Sequence, residues 1–148
     1  MGKGQIALSN RPKLKSIAKL YQQGCQRIVT IQGCNEQPKQ IEKAARSAGI
    51  LWTWIPVGNG NFPEGKSDRL MRIGLQSLIE SIEAGESVLV HCLAGIHRTG
   101  MLVFALCRWL GFTESAALDL IGEMRLFTRE GLQVEHLAWG NKIIERGR

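Results

Sequence analysis

The stretch VLVHCLAGIHRTGMLVFAL, Val88 to Leu106, decides how this sequence folds. Its opening, SVLV from Ser87, is apolar throughout, as a central strand covered on both faces should be. Met101 to Leu110 is apolar nearly all round and predicts a buried central helix. Between them lies a short turn containing Gly95 and Gly100. A strand running through a tight turn into a helix gathers backbone N–H groups and the helix's positive end around one point. Such a point binds anions. The nucleotide-binding loop G-x-x-x-x-G-K-[ST] is excluded, because Met101 and Leu102 stand where its Lys and Ser/Thr belong.

Read from its cysteine, the turn is H-C-x-x-G-x-x-R-T-G, His91 to Gly100. Converging amides and a helix end favour the thiolate of Cys92, which is a strong nucleophile at neutral pH. The planar fork of Arg98 suits two oxygens of one phosphate, a fit that Lys does not reproduce. Thr99 can donate its hydroxyl to the sulfur. Gly95 and Gly100 permit the sharp turn and the close approach.

This loop, in strand–loop–helix context, resembles the signature of the cysteine-dependent protein tyrosine phosphatase superfamily, and the chain resembles its small, atypical dual-specificity members. The resemblance covers nearly the whole sequence: ALSNRP at the start, the RIVTI strand, a strand ending in IPV, a helix, then VLVHC. It implies a single α/β domain with a central, mostly parallel sheet flanked by helices. Cys92 would be the nucleophile that forms a phosphocysteine, and Thr99 would assist its breakdown. Arg98 and the amides of Leu93, Ala94, Gly95, Ile96, His97 and Arg98 would bind the phosphate. His91 would hydrogen-bond nearby backbone and support the thiolate. No cofactor or metal is implied.

One residue of that pattern is missing. The family usually carries an Asp soon after the I-P pair, to protonate the leaving oxygen and then activate water. Here the place reads IPVGNGNFPEG, and Gly58, Asn59, Gly60 and Asn61 stand after the I-P pair without a carboxylate among them. The substitute is Glu64 on the loop, Asp68 just after it, or none; Asp68 reads first as a helix-end charge. Asp119 reads as surface. General acid help is typically worth about 10²–10⁴ in rate. Without it an alkoxide is a poor leaving group, a phenolate a better one, and a phosphoanhydride hardly needs assistance. His97 points the same way, since G-x-H-R-T-G resembles the loop of plant and fungal atypical members, some of which cleave inositol pyrophosphates. His97 as a plain exposed loop residue is the competing interpretation.

The rest of the chain alternates strand and helix. Ile6–Ser9 predicts a strand. Pro12 suits the first turn of a helix burying Leu14, Ile17, Ala18 and Tyr21 and closed by Gly24. Arg27–Ile31 predicts a buried strand, and Pro38 opens a helix with Ile41, Ala44, Ala45 and Ala48 inward. ILWTWIPV is the third strand, with Trp52 and Trp54 on one face as packing or as a lip over the site. Ser67 can cap a long helix carrying Met71, Leu75, Leu78, Ile79 and Ile82. Thr113 caps another, and Val134–Glu145 predicts the last. Arg125 and Arg129 follow the fifth helix, as a solvated end or as positive charge near the pocket.

At 148 residues, 1–148 is expected to form one domain that buries a core without staples. No apolar run reaches the roughly 18 residues of a membrane span, and the start lacks a secretory h-region; a cytoplasmic protein is expected. Cys25, Cys34, Cys92 and Cys107 form no C-x-x-C pair, so free thiols are expected. Cys34 is either a plain loop cysteine or, as in some members of the resembled family, a reversible disulfide partner for Cys92. Cys107 reads as core. The formal charge of +6 is spread along the chain without interleaved aromatics, unlike a nucleic-acid platform. The expected partner is therefore a phosphorylated protein or small phosphorylated molecule, with nucleic acid only as a 5′-phosphorylated substrate, no membrane, and a monomeric enzyme. A phosphatase of aryl phosphates or phosphoanhydrides is the leading function. A catalytically weak phosphate-binding scaffold and a sulfurtransferase are the alternatives, and retention of Cys92, Arg98 and Thr99 together disfavours the former.

Overall fold

The computed structural model describes residues 4–59 and 63–147. Of the acid-free loop, Gly60 and Asn61 lie outside the described residues. Four strands, β1 (Gln5–Ser9), β2 (Arg27–Ile31), β3 (Leu51–Ile55) and β4 (Ser87–His91), form one sheet in the order β1-β4-β2-β3. All three pairings are parallel, with Ser9 opposite His91 and Thr30 opposite His91 at the top of the central pair. The expected α/β architecture is what the molecule adopts.

Strand alternation divides the core in two. Val29, Ile31, Val88 and Val90 face one side, where α3 (Lys66–Glu83), α4 (His97–Trp109), α5 (Glu114–Met124), α6 (Leu126–Gly131) and α7 (Val134–Gly147) build the larger cluster. Ile28 and Leu89 face the other, against α1 (Ile17–Gln22) and α2 (Pro38–Ala48). Helix α4 runs through the middle of the larger cluster, and Arg98 to Cys107 are all buried. No helix among the described residues is long and apolar enough to cross a membrane.

Three sequence expectations are corrected. The helix predicted from Pro12 begins only at Ile17, after a 3-10 turn over Leu14–Ser16. Leu14, Ala18 and Tyr21 are exposed, and Ile17 with Leu20 makes the inward contact, because so short a helix offers only one turn to the core. Helix α3 is entered through Gly65, whose positive φ of 56° turns the chain, so Ser67 lies within the helix and caps nothing. Helix α6 was not foreseen. The Thr113 cap is as expected, with Oγ1 accepting from the Ala116 N–H at 3.1 Å.

Candidate active site

Strand β4 delivers His91 and Cys92 to the top of the sheet, and α4 starts five residues after Cys92. Every carbonyl of the intervening loop is held from outside. Cys92 O accepts from His91 Nδ1 at 2.8 Å and, more weakly, from Gln32 Nε2 at 3.5 Å. Leu93 O accepts from the Arg11 N–H, Ala94 O and Gly95 O from Arg125 Nη1, and Gly95 O also from Thr128 Oγ1 at 2.6 Å. Ile96 O accepts from the Gly100 N–H. In a planar trans peptide the N–H points away from its carbonyl. Pinning the carbonyls of Cys92 to Ile96 therefore turns the N–H groups of Leu93 to His97 to the opposite side. A cavity of about 200 Å³ lies at this loop, lined by Asn59, Cys92, Leu93, Ala94, Ile96, His97 and Arg98. Its volume is ample for a phosphate.

Arg98 is buried and held end-on by Glu36. Nη1 donates to Glu36 Oε1 at 2.6 Å and Nη2 to Oε2 at 2.9 Å, while Nη1 also donates to the carbonyls of Ile31 and Val57, each at 3.0 Å. A guanidinium has five N–H groups. Glu36 and the carbonyls take both hydrogens of Nη1 and one of Nη2. Left over are Nε–H and the second Nη2–H, side by side on one edge, which is the geometry that grips two oxygens of an oxyanion. Glu36 comes from the 3-10 turn Cys34–Glu36, and its Oε1 also accepts from the Gly33 N–H at 2.9 Å. Burial works to raise its pKa. The hydrogen bonds from Arg98 and Gly33 and the charges of Arg98 and Arg11 outweigh that and hold the carboxyl below its ordinary range.

Behind the loop the hydrogen bonds have one direction. Cys92 O can only accept, so His91 Nδ1 carries the proton; Nε2 must then accept from Thr30 Oγ1 at 2.8 Å, and Thr30 Oγ1 accepts from Trp52 Nε1 at 2.9 Å. Burial, above all, lowers the His91 pKa from 6.5 to about 4, so the neutral tautomer persists. Trp54 Nε1 donates to Gln32 O at 2.7 Å. Both indoles thus brace the sheet, and neither lines the cavity. Arg125 is a brace of the same kind, not a solvated helix end.

The predicted residues separate cleanly. Cys92, Leu93, Ala94, Ile96, His97 and Arg98 surround the cavity, and Gly95 lies buried behind it with a φ of 72°. Thr99 is fully buried, and its Oγ1 has no hydrogen-bond partner among the described residues. Glu64 and Asp68 lie on a different cavity, of about 590 Å³, between the start of α3 and α7. Asp68 accepts there from Arg72 Nε and from Trp139 Nε1, both at 2.9 Å. Cys34 is an exposed free thiol. Cys107 is buried in α4 as expected, and burial raises its pKa to about 11. Glu36 and Arg11 escaped the sequence analysis, for no local spacing marks a carboxylate 62 residues before its arginine. Among the described residues no group of three or more His, Cys, Asp or Glu could hold a metal ion.

Residues 2–112 match the family described as "Polymorphic toxin system, DSP-PTPase phosphatase". No curated protein matches the sequence. Among solved structures, Tk-PTP in its active form superposes with a TM-score of 0.76 at 20% identity, over 97% of this chain and 93% of that one. PTPMT1 in complex with PI(5)P gives 0.72 at 17% identity, over 97% and 95%. The core catalytic domain of the PP-IP phosphatase Siw14 from S. cerevisiae, in complex with citrate, gives 0.69 at 21% identity, over 98% and 82%. At these identities the likeness is one of fold.

Proposed function

The chain belongs to the DSP-PTPase phosphatase family of polymorphic toxin systems, and from that premise we propose that it hydrolyses aryl phosphates or phosphoanhydrides through a phosphocysteine on Cys92. The observation that carries this reading is that Cys92, Arg98 and the loop between them line one cavity, while the loop carbonyls and the end of the Arg98 guanidinium are engaged elsewhere, which leaves the loop amides and one edge of Arg98 as the donors for a bound phosphate. Those donors are fixed before substrate arrives, so they meet the charge of the transferring phosphoryl group without reorganisation.

In the first step the Cys92 thiolate attacks phosphorus; the S–P bond forms as the bond to the leaving oxygen breaks. In the second, water attacks phosphorus and the electron pair of the S–P bond returns to sulfur. The Thr99 hydroxyl, unpartnered and buried, is the donor that this returning charge calls for. The cavity has room for the phosphate beside Cys92 and Arg98. Whatever bears the phosphate stays outside, beside the half-exposed Leu93.

The cavity has no carboxylate among its described lining residues, which favours leaving groups that are stable as anions. A phosphotyrosine side chain and a phosphoanhydride both satisfy that, and phosphorylated proteins or small phosphorylated molecules are the substrates we expect. The similarity to a PP-IP phosphatase and to a protein solved with PI(5)P supports the small-molecule branch. The test is turnover of an aryl phosphate and of inorganic pyrophosphate, with acid quench and peptide mass mapping. We expect vanadate-sensitive turnover, phosphate trapped on Cys92, and none in Cys92→Ser. Wild-type protein inert on both substrates, or Cys92→Ser still active, would overturn the proposal.

A further inference from the structure

A departing phenolate gains from a proton, and the carboxylates nearest the site are otherwise engaged. Glu36 is bound by Arg98 and the Gly33 N–H. Asp68 is held by Arg72 and Trp139, and Glu64 shares that separate cavity. Gly60, Asn61 and Phe62 of the neighbouring loop bring no carboxylate in sequence. Of the described residues that line the Cys92 cavity, His97 is the one, besides the nucleophile, whose side chain can both give and accept a proton.

His97 is also held in place. It is the first residue of α4, exposed on one side, and its ring lies flat against that of His136, with centroids 4.3 Å apart and planes at 16°. His136 is only 6% exposed, and its Nδ1 accepts from the Gln133 N–H at 2.9 Å, so its neutral proton resides on Nε2. Burial first, and the nearness of His97 second, lower the His136 pKa, while Glu135 works in the opposite sense. His136 is thus a fixed aromatic face that its burial biases toward the neutral form, and a cationic ring rests more favourably over such a face than over a second cation. His136 lies beyond the residues 2–112 that match the family, so the pair is a feature of this chain that the family match does not describe.

We propose that His97 is the proton donor and acceptor of the reaction, with His136 the positioning residue that sets its ring plane at the cavity edge. In the first step imidazolium His97 gives its proton to the leaving oxygen as the P–O bond breaks, leaving neutral imidazole and the phosphocysteine. In the second, neutral His97 takes a proton from the water whose oxygen bonds to phosphorus. The S–P electron pair returns to Cys92, phosphate departs, and the imidazolium is restored. The charged and titratable groups set around His97 are Cys92 and Arg98, which line the same cavity, and His136 of α7, stacked on its ring, with Glu135 acting on His136. Arg125 of the α5–α6 junction acts through the Ala94 and Gly95 carbonyls.

This inference rests on the phosphocysteine reading, and the experiment separates the two. Rates on a series of substituted phenyl phosphates, from dinitrophenyl to methoxyphenyl, are measured for wild type, His97→Ala, His97→Asn, His136→Ala and His136→Phe. In the wild type, kcat/KM should depend little on the leaving group. In both His97 variants the loss should grow along the series, to about 100-fold or more on the poorest leaving group. His136→Ala should show the same trend more weakly, and His136→Phe, which keeps a flat face, should restore most of it. A steep dependence in the wild type, or a loss in the His97 variants that is absent or equal across the series, overturns the role of His97 even if turnover remains Cys92-dependent. The wild-type series decides the matter should the variants fold poorly. Turnover that survives Cys92→Ser would instead sink the phosphocysteine reading itself.

Discussion

Glu36 meets Arg98 end to end, with both carboxylate oxygens on the two terminal nitrogens at 2.6 and 2.9 Å. The pair leaves the arginine one unoccupied edge and fixes the direction in which that edge points. Arg11 steadies the same turn from outside, donating to Glu36 O at 3.0 Å and to Gln32 Oε1 at 2.7 Å. An anion site backed by a carboxylate would ordinarily be self-defeating. Here the carboxylate is spent on aiming the cation.

Glu36→Gln keeps the shape and one acceptor but loses the bidentate charge. We expect kcat/KM on aryl phosphates to fall roughly 100-fold, as misplaced groups at a reacting centre do, with vanadate affinity falling in parallel. Steady-state kinetics and vanadate titration check this. A variant that loses thermal stability but keeps both constants would show Glu36 to be structural only.

Thr99→Val removes a buried hydroxyl that has no partner. Relieving such a group should stabilise the fold, by about 1 kcal/mol, while breakdown of the phosphocysteine slows. Opposite signs in urea denaturation and in single-turnover kinetics are the expected signature, with Thr99→Ser near wild type in both.

His91 gives stability an acid limb. Its pKa is lowered from 6.5 to about 4, so the unfolded chain takes up a proton that the folded one refuses. Stability should therefore decline as pH falls from about 6.5 to about 4, by about 3 kcal/mol from this residue. Glu36, whose pKa is also lowered but as an acid, contributes stability that is present above the ordinary carboxylate value and lost as pH drops through its lower folded value. Urea unfolding of wild type and His91→Asn at pH 7 and 4.5 checks the first statement: the slope with pH should be shallower in the variant.

Gly95→Ala should be severe. The residue sits at a φ of 72°, and a Cβ would lie 2.1 Å from Ser9 O and 2.7 Å from Asn10 N, both backbone atoms. Left-handed strain alone costs about 1–2 kcal/mol, and the contact with β1 adds to it. Thermal melts should show a large drop in Tm, and any protein that folds should have lost its vanadate affinity.

Asp68→Asn separates two accounts of one carboxylate. It keeps one oxygen for Trp139 or Arg72 but not both, so a loss of about 1 kcal/mol is expected, with kcat within about two-fold of wild type. Loss of a large rate factor together with the basic limb of the pH profile would instead make Asp68 the general acid.

Much of the site was legible because its chemistry is local. Cys92 to Gly100 carry nucleophile, donors and turn within one loop, and the apolar run after them could be only a buried helix. Ile41, Ala45 and the Thr113 cap were legible for the same reason, as period and cap are short-range signals. Glu36 was not, since a carboxylate's partner is chosen by the order of strands, which no spacing encodes. The stacking of His97 on His136 was hidden likewise. Helix α6 is too brief to show a period, and its Leu126 and Phe127 stand out in solvent.

The place of β4 between β1 and β2 also governs when the site can exist. Its neighbours are far away along the chain: Gln5 pairs with Ser87 and Arg27 with Val88, while Thr128 closes onto Gly95 from beyond α5. Closures across such separations are slow, entropically costly events in folding. A nascent chain emerging from the ribosome would therefore hold a nucleophile without its frame until residues near 128 were out. Phosphatase activity should accordingly appear at once, with the finished fold, and no shorter nascent fragment should carry a portion of it.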